Sequence, residues 1–386
     1  MTEKLYYTEP LNTDFTARVL SCVREDRGWA AELDRTAFFP EGGGQGADTG
    51  LLGGARVLDV RERDGRILHF CDGELPVGAE AAGCVDRENR MARMQIHSGE
   101  HIVSGLAHRE WGCENVGFHM TENAAVIDFD RELSARQLEE LEALANRVVW
   151  EDLPIRAFFP SAEELSALVW RQKKELSGQI RLVEIPGVDR CACCAPHMPS
   201  TGRIGLICLT DLMRHRGGVR FTLTAGRSAY NRTALLGAEA AALSRLFSVP
   251  ADALVPAAER LLAEQEERKQ AAAGLERRYV KLLAERIPVS AGNIVYFESG
   301  ELTSAAMRLL AEALSGKCSG AAAVFVPDGE GRRYVIASQS ADLRKAAREI
   351  NTALRGRGGG SPAMIQGSAC ASPREIEDYF NGKKFG

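Results

Sequence analysis

Apolar positions change their period three times along the chain. Up to about residue 90 they alternate in short runs broken by glycines, and Arg18–Val23, Trp29–Leu33 and Ala55–Val60 have the length and alternation of strands. Asp64-Gly65 between two such runs is a hairpin signal. This spacing predicts a small β-barrel or sandwich over residues 1–90. From Arg87 the period becomes helical, with Met94, His97, His101, Gly105 and His108 recurring along the helix. A second helix is predicted from Ser134, a suitable N-cap, to Glu151, with Pro154 beyond its end. Strands near Ile180–Ile185, Ile204–Thr210 and Val219–Thr224 complete an α+β block over 91–233.

Residues 234–288 are rich in Ala, Glu, Arg and Leu and predict one long helix, closed by Pro288. Leu254, Leu261, Leu275 and Leu282 keep a seven-residue spacing that Arg268 interrupts, which favours a helical linker over a sustained two-stranded coiled coil. The last block, 289–386, alternates again. Strands Asn293–Glu298, Ala321–Pro327 and Arg333–Ser338 surround helices Thr303–Ser315 and Asp342–Arg355, followed by a Gly358-Gly359-Gly360 loop and a helix from Ser372. This pattern predicts a separate α/β domain. The whole is a multidomain α+β chain, as its 386 residues already suggest, since single cores stop growing well before that length.

Composition narrows the class. Hydrophobic residues (45%) and charged residues (26%) are near the soluble average, and no apolar run is long enough for a bilayer. Met1–Leu5 lacks the charged-then-apolar order of a signal peptide, so a cytoplasmic protein with no membrane partner is expected. Ten cysteines in such a chain do not make a disulfide framework. Cys22, Cys71, Cys84, Cys113, Cys208, Cys318 and Cys370 stand singly and are expected to be small buried hydrophobes, whereas Cys191, Cys193 and Cys194 cluster beside His197. A net charge of −5 is unlike a uniformly basic nucleic-acid binder. Yet Arg214, Arg216, Arg220, Arg227 and Arg232 fall in a window without Asp or Glu, as either a phosphate-tracking stripe or a solvated strand edge.

The chemistry concentrates in two short segments. His97 and His101, four residues apart on a helix, share a face one turn apart and can reach one ion. Cys193-Cys194-Ala195-Pro196-His197 offers a thiolate and a further imidazole, and this nitrogen–sulfur set suits zinc. Three of the chain's seven histidines lie in these motifs. His108 is about 16 Å along the helix from His97 and cannot reach the same ion, while His69, His119 and His215 have no partner motif. Spacing alone leaves Cys191, Cys193 and Cys194 open as the sulfur donor.

Four segments together resemble a free-standing editing protein of the AlaX type, similar to the editing and C-terminal domains of alanyl-tRNA synthetase without its aminoacylation part. They are Thr36-Ala37-Phe38-Phe39-Pro40-Glu41-Gly42-Gly43-Gly44-Gln45, the His97–His101 pair, Ile185–Asp189 with Cys193–His197 and Thr201–Gly205, and Gly358–Gly367. Their order matches the longer AlaX form over essentially the whole chain. The resemblance implies an N-terminal β-barrel (1–90), an α+β zinc-binding editing domain (91–233), a helical linker (234–288) and a C-terminal DHH-associated RNA-binding-type domain (289–386). It selects His97, His101, Cys193 and His197 as ligands of one Zn2+.

The activity it implies is hydrolysis of tRNA(Ala) mischarged with serine or glycine. Thr36 is then the candidate reader of the seryl hydroxyl, and Gln45 orients water or the ribose end. Gly42, Gly43 and Gly44 allow close backbone approach. Glu100 is either a general base or a solvated surface residue. Arg214, Arg216 and Arg220 follow phosphates near the acceptor end, Gly358, Gly359 and Gly360 clasp backbone elsewhere, and the linker and C-terminal domain suggest a homodimer. Two departures stand out: Cys-Cys-Ala-Pro-His replaces the usual Cys-Gly-Gly-Thr-His, and Ser104 takes the place of a further histidine. Four protein ligands fill a tetrahedral site, so the ion either expands its coordination, loses a ligand or anchors substrate. A non-catalytic tRNA-binding protein with a structural zinc, and a zinc peptidase of the inverted HxxEH type, are the competing expectations.

Overall fold

The computed structural model describes residues 2–25, 28–171 and 179–385. Two compact units divide the chain, Met1–Ala241 and Ala242–Gly386.

Six strands of the first unit come before its long helix and pair with one another: β1 (Asp14–Glu25), β2 (Gly28–Leu33), β3 (Gly50–Leu52), β4 (Ala55–Arg63), β5 (Arg66–Cys71) and β6 (Glu80–Val85). They close into a barrel in the order β1-β2-β5-β4-β3-β6. The β4–β5 hairpin turns at Asp64-Gly65, both with positive φ, as a two-residue turn between right-twisted strands requires. Alternate residues such as Val57, Val60, Ile67 and Leu33 point inward to a core that also holds Phe38 and Phe39.

Helix α1 (Arg87–Trp111) follows at once. Asp86 caps it by accepting from the Asn89 N–H, Glu88 sits in the first turn, and Gly112 ends it in the left-handed conformation. Every residue from Ile96 to Ala107 is buried, so this is a core helix rather than an amphipathic surface one. It packs with the helix Ala135–Trp150, whose N-cap is Ser134 in a full capping box, against a four-stranded antiparallel sheet. That sheet runs Ile207–His215, Gly218–Ala225, Ala125–Phe129, Asn115–Met120. A further hairpin, Leu182–Ile185 with Asp189–Ala192, delivers Cys193. Its turn lies tightly against α1, because Gly105 lacks a side chain: a Cβ there would stand 2.5 Å from the Val188 carbonyl.

Arg90 fastens the barrel to α1. It is fully buried, and its guanidinium donates to the Asp48 carboxylate, to the Ala37 carbonyl at 2.5 Å and to the Pro10 carbonyl at 3.0 Å. Asp48 also accepts from the Phe39 N–H at 2.7 Å.

The second unit holds a five-stranded sheet ordered Ile294–Phe297, Ala321–Asp328, Gly331–Ser338, Met364–Ala369, Arg357–Gly360, with helices on it. Its first pair is parallel and the other three are antiparallel, so this unit is α+β rather than the alternately wound α/β domain expected.

Several expectations need correction. The long helix over 234–287 is two helices, Arg227–Phe247 and Leu254–Arg286. Ser248 takes a left-handed φ of 54°, the Val249 N–H reaches back to the Ser244 carbonyl, and Pro250 cannot continue the helix. The Gly358–Gly360 loop is an edge strand paired with Met364–Ala369. The strand expected from Ile204 starts at Ile207, after a short 3-10 turn at Thr201–Ile204. Cys84 and Cys370 are exposed, not buried, and all ten cysteines are free. Among the described residues no helix is long and apolar enough to cross a membrane.

Replacing Arg90 with Met removes the cation but leaves the Asp48 carboxylate buried, and should cost about 3–5 kcal/mol. Urea denaturation measures this, and a loss too small to resolve would show that the Arg90–Asp48 tie does not hold the barrel on α1.

Candidate metal centre

His97 and His101 project from the same face of α1, one turn apart. The turn after the Asp189–Ala192 strand brings Cys193 and His197 to them. One ring nitrogen of each histidine and the Cys193 Sγ lie within 4.8 Å of one another, a cluster able to hold a metal ion. Cys193 Sγ is 3.5 Å from His97 Nε2 and 3.3 Å from His197 Nε2. Tetrahedral zinc with ordinary bond lengths sets nitrogen and sulfur about 3.5 Å apart, so the donor spacing fits. The sulfur donor is thereby chosen by geometry: Cys194 is outside the cluster, and Cys191 falls with Asp189 and His101 in an adjoining group.

Each imidazole is held at its other nitrogen. His97 Nδ1 donates to Gln45 Oε1 at 2.9 Å, His101 Nδ1 lies 2.9 Å from Asp189 Oδ2, and His197 Nδ1 lies 3.3 Å from Ser98 Oγ. Such contacts fix the ring orientation and leave Nε2 as the donor atom. Asp189 itself accepts from Arg171 Nε at 2.8 Å. Burial pushes the His197 pKa down to about 3, which keeps the ring neutral. Burial also opposes ionisation of Cys193, but His97 and His197 outweigh it and hold the thiol well below its usual range. For His101, burial is outweighed by Asp189 and Cys193, which raise it to about 10, so a cation arriving at Nε2 releases a proton.

The glycine loop reaches the same place. Gly42 and Gln45 exchange both backbone hydrogen bonds at 3.0 Å around Gly43 (φ 61°) and Gly44 (φ 83°). A side chain at Gly44 would collide with Phe118, 2.6 Å away. This tight turn, with Arg93 donating to the Gly46 carbonyl at 2.8 Å, aims Gln45 at His97. The Gln45 carboxamide is fully buried, and its Nε2 has no partner among the described residues. Gly43, Gly44, His97, His101 and Cys193 all line one cavity of about 450 Å³.

Other expected residues lie elsewhere. Thr36 is buried in the barrel, with Oγ1 2.8 Å from His69 Nε2 and accepting from the Phe38 N–H; it is not among the residues lining the cavity. His69, passed over in the sequence for want of a partner motif, is that partner, and its Nδ1 is 3.1 Å from the Ala31 carbonyl. Glu100 is no surface residue: it is fully buried and accepts from Ser104 Oγ and Asn115 Nδ2, both at 2.6 Å. Arg220 forms a two-pronged pair with Asp128 at 2.6 and 2.7 Å, Arg227 pairs with Glu88, and Arg214 sits 3.6 Å from Glu132. The acids missing from that window therefore come from other elements. Arg216, at the hairpin turn, is exposed, and Gly358–Gly360 belong to the second unit. His108 pairs with Glu114 at the helix end.

The threonyl and alanyl tRNA synthetase second additional domain matches residues 180–221, the segment containing Asp189, Cys193 and His197. Alanine–tRNA ligase of Pyrobaculum neutrophilum is 33% identical over 95% of this chain, that of Methanoregula boonei 31% over 95%, and that of Pyrococcus abyssi 30% over 95%. The chain is homologous to alanine–tRNA ligase. It spans only 41–42% of the length of these ligases. The C-Ala domain of Aquifex aeolicus alanyl-tRNA synthetase was also matched, at 21% identity, a TM-score of 0.20, and coverage of 23% of this chain and 87% of that domain.

Asp189→Asn keeps the shape beside His101 but removes the charge. Metal affinity should fall roughly 10–100-fold, as read by competition with a chromophoric chelator. Unchanged affinity would remove Asp189 from the support of the metal centre.

Proposed function

We propose that this chain is a trans-editing hydrolase that deacylates tRNA(Ala) mischarged chiefly with serine, and also with glycine, in a zinc-dependent reaction. The observation that carries this reading is the cluster of His97, His101, Cys193 and His197, of which His97, His101 and Cys193 line a cavity that the Gly43-Gly44 turn also lines. A purely structural site has no need of an adjoining cavity. Homology to alanine–tRNA ligase supports tRNA(Ala) as the partner.

His97, His101, Cys193 and His197 would hold the ion, and the chemistry it would supply there is Lewis acidity and activation of water near neutral pH. The remaining work belongs to the chain. The Gly43-Gly44 backbone permits close approach of the ribose end. Gln45 fixes His97 through Oε1, and its Nε2 retains two hydrogens to orient the ester or a water. Glu100 supports His101 electrostatically from within the helix; service as a base would require it to leave both Ser104 and Asn115. Thr36 enters as a hydrogen-bond acceptor. If His69 donates Nδ1–H to Ala31, its Nε2 takes the Thr36 hydrogen, and the threonine oxygen keeps one lone pair for a seryl hydroxyl. Alanine has no hydroxyl to fill that place, which is how a polar pocket rejects it. Arg214 and Arg216 on the exposed hairpin, and Arg357 beside Gly358–Gly360, are the side chains that would follow tRNA phosphates. A homodimer through the 254–286 helix is favoured by Leu261, Leu275 and Leu282, which are exposed there.

Incubation of zinc-replete protein with seryl-, glycyl- and alanyl-tRNA(Ala) tests this. The seryl and glycyl esters should disappear, the alanyl ester should survive, and a chelator should stop the loss. Intact esters throughout would overturn the hydrolase and leave a tRNA-binding protein with a structural zinc.

Thr36→Val should narrow the ratio of seryl to alanyl deacylation while zinc content holds. An unchanged ratio would confine Thr36 to the barrel.

A further inference from the structure

A cation, largely buried, lines the cavity beside the metal centre. Arg181 is only 7% exposed, yet among the described residues no carboxylate pairs with it, and no Asp or Glu lines the cavity. Its Nη1 donates to the Cys193 carbonyl at 3.0 Å and the Ala195 carbonyl at 2.9 Å, which positions the guanidinium next to the metal-ligand turn. The guanidinium lies over the Tyr7 ring, 4.7 Å from its centroid. Phe159 meets Tyr7 edge-on at 5.8 Å and lines the same cavity. A charge taken out of water without a partner is costly, and an incoming anion relieves that cost.

Which anion follows from the substrate's own chemistry. The aminoacyl group carries an ammonium and no negative charge, so Arg181 repels it. The nearest anion to the ester is the 5′-phosphate of the nucleotide that bears it. A guanidinium binds phosphate through charge-assisted hydrogen bonds, and unstacked bases pack on aromatic rings.

We propose that Arg181, Tyr7 and Phe159 form the subsite for the 3′-terminal nucleotide of the acceptor strand. Arg181 pairs its 5′-phosphate, and the base packs against the two rings. This rests on the deacylase reading above and assigns the part of the substrate that the metal ligands do not touch.

The test uses two non-hydrolysable probes on the zinc-loaded full chain: 3′-seryl-amido-3′-deoxyadenosine with and without a 5′-phosphate. Calorimetry should show the phosphate tightening binding to the wild type about tenfold or more. Arg181→Met should abolish that gain, leaving the unphosphorylated probe within about twofold of wild type, and Arg181→Lys should keep part of the gain. Tyr7→Leu should weaken both probes alike. Equal binding of the two probes by the wild type overturns the subsite, whether or not any variant folds. So does an Arg181→Met protein that keeps the full gain, or one that retains zinc but loses the unphosphorylated probe as well. Because the probes are not hydrolysed, an inactive enzyme that still shows the phosphate gain would count against the hydrolase and not against the subsite.

Discussion

Three imidazoles and a thiol brought within 4.8 Å of one another cannot simply be buried. Each ring must be fixed by a partner at Nδ1, and the thiolate must be compensated by a neighbouring positive charge. Gln45, Asp189 and Ser98 meet the first demand from three separate parts of the chain. The architecture around them is arranged to bring those parts together. The barrel contributes Gln45, the hairpin after Ile185 contributes Asp189, and α1 contributes Ser98 along with two ligands.

Two close approaches make this possible. Arg90 and Arg93, on the first turns of α1, bind carbonyls and a carboxylate of the loop between residues 37 and 48. That loop therefore cannot move independently of the helix that carries His97. On the other side, Gly105 lets the Val188–Asp189 backbone rest directly on α1, which puts the carboxylate within reach of His101. The barrel is thus part of the metal centre rather than an appendage to it.

Burial also sorts the chain's many polar residues into those that serve the cavity and those that serve the frame. Glu100 and Ser104 of α1 and Asn115 of the neighbouring strand hydrogen-bond to one another, so the residue between the two histidines has internal partners. Thr36 and His69 are likewise buried within the barrel, in contact with each other. Gln45 Nε2 and Arg181, by contrast, keep donors that the described protein atoms do not use. Gln45 sits against His97, and Arg181 lines the cavity.

Local pattern determined much of this protein. The period of apolar positions located three of the barrel strands, the helices Arg87–Trp111 and Ala135–Trp150 and most elements of the second unit, because each reflects a one-dimensional rule of backbone geometry. The helical pair His97–His101 was legible for the same reason, since four residues make one turn. What joins that pair to Cys193 and His197 was not legible from spacing, because it depends on where a hairpin almost ninety residues later comes to rest. Spacing likewise left the choice among three cysteines open until the fold grouped Cys193 with all three rings. The arginine window looked unpaired because its acids, Asp128, Glu88 and Glu132, lie on other elements. His69 and Arg181 carried no motif at all, and Asp189 closed the Ile185–Asp189 segment with no role assigned to it. Their roles exist only through contacts between distant segments, and only the tertiary structure could decide them.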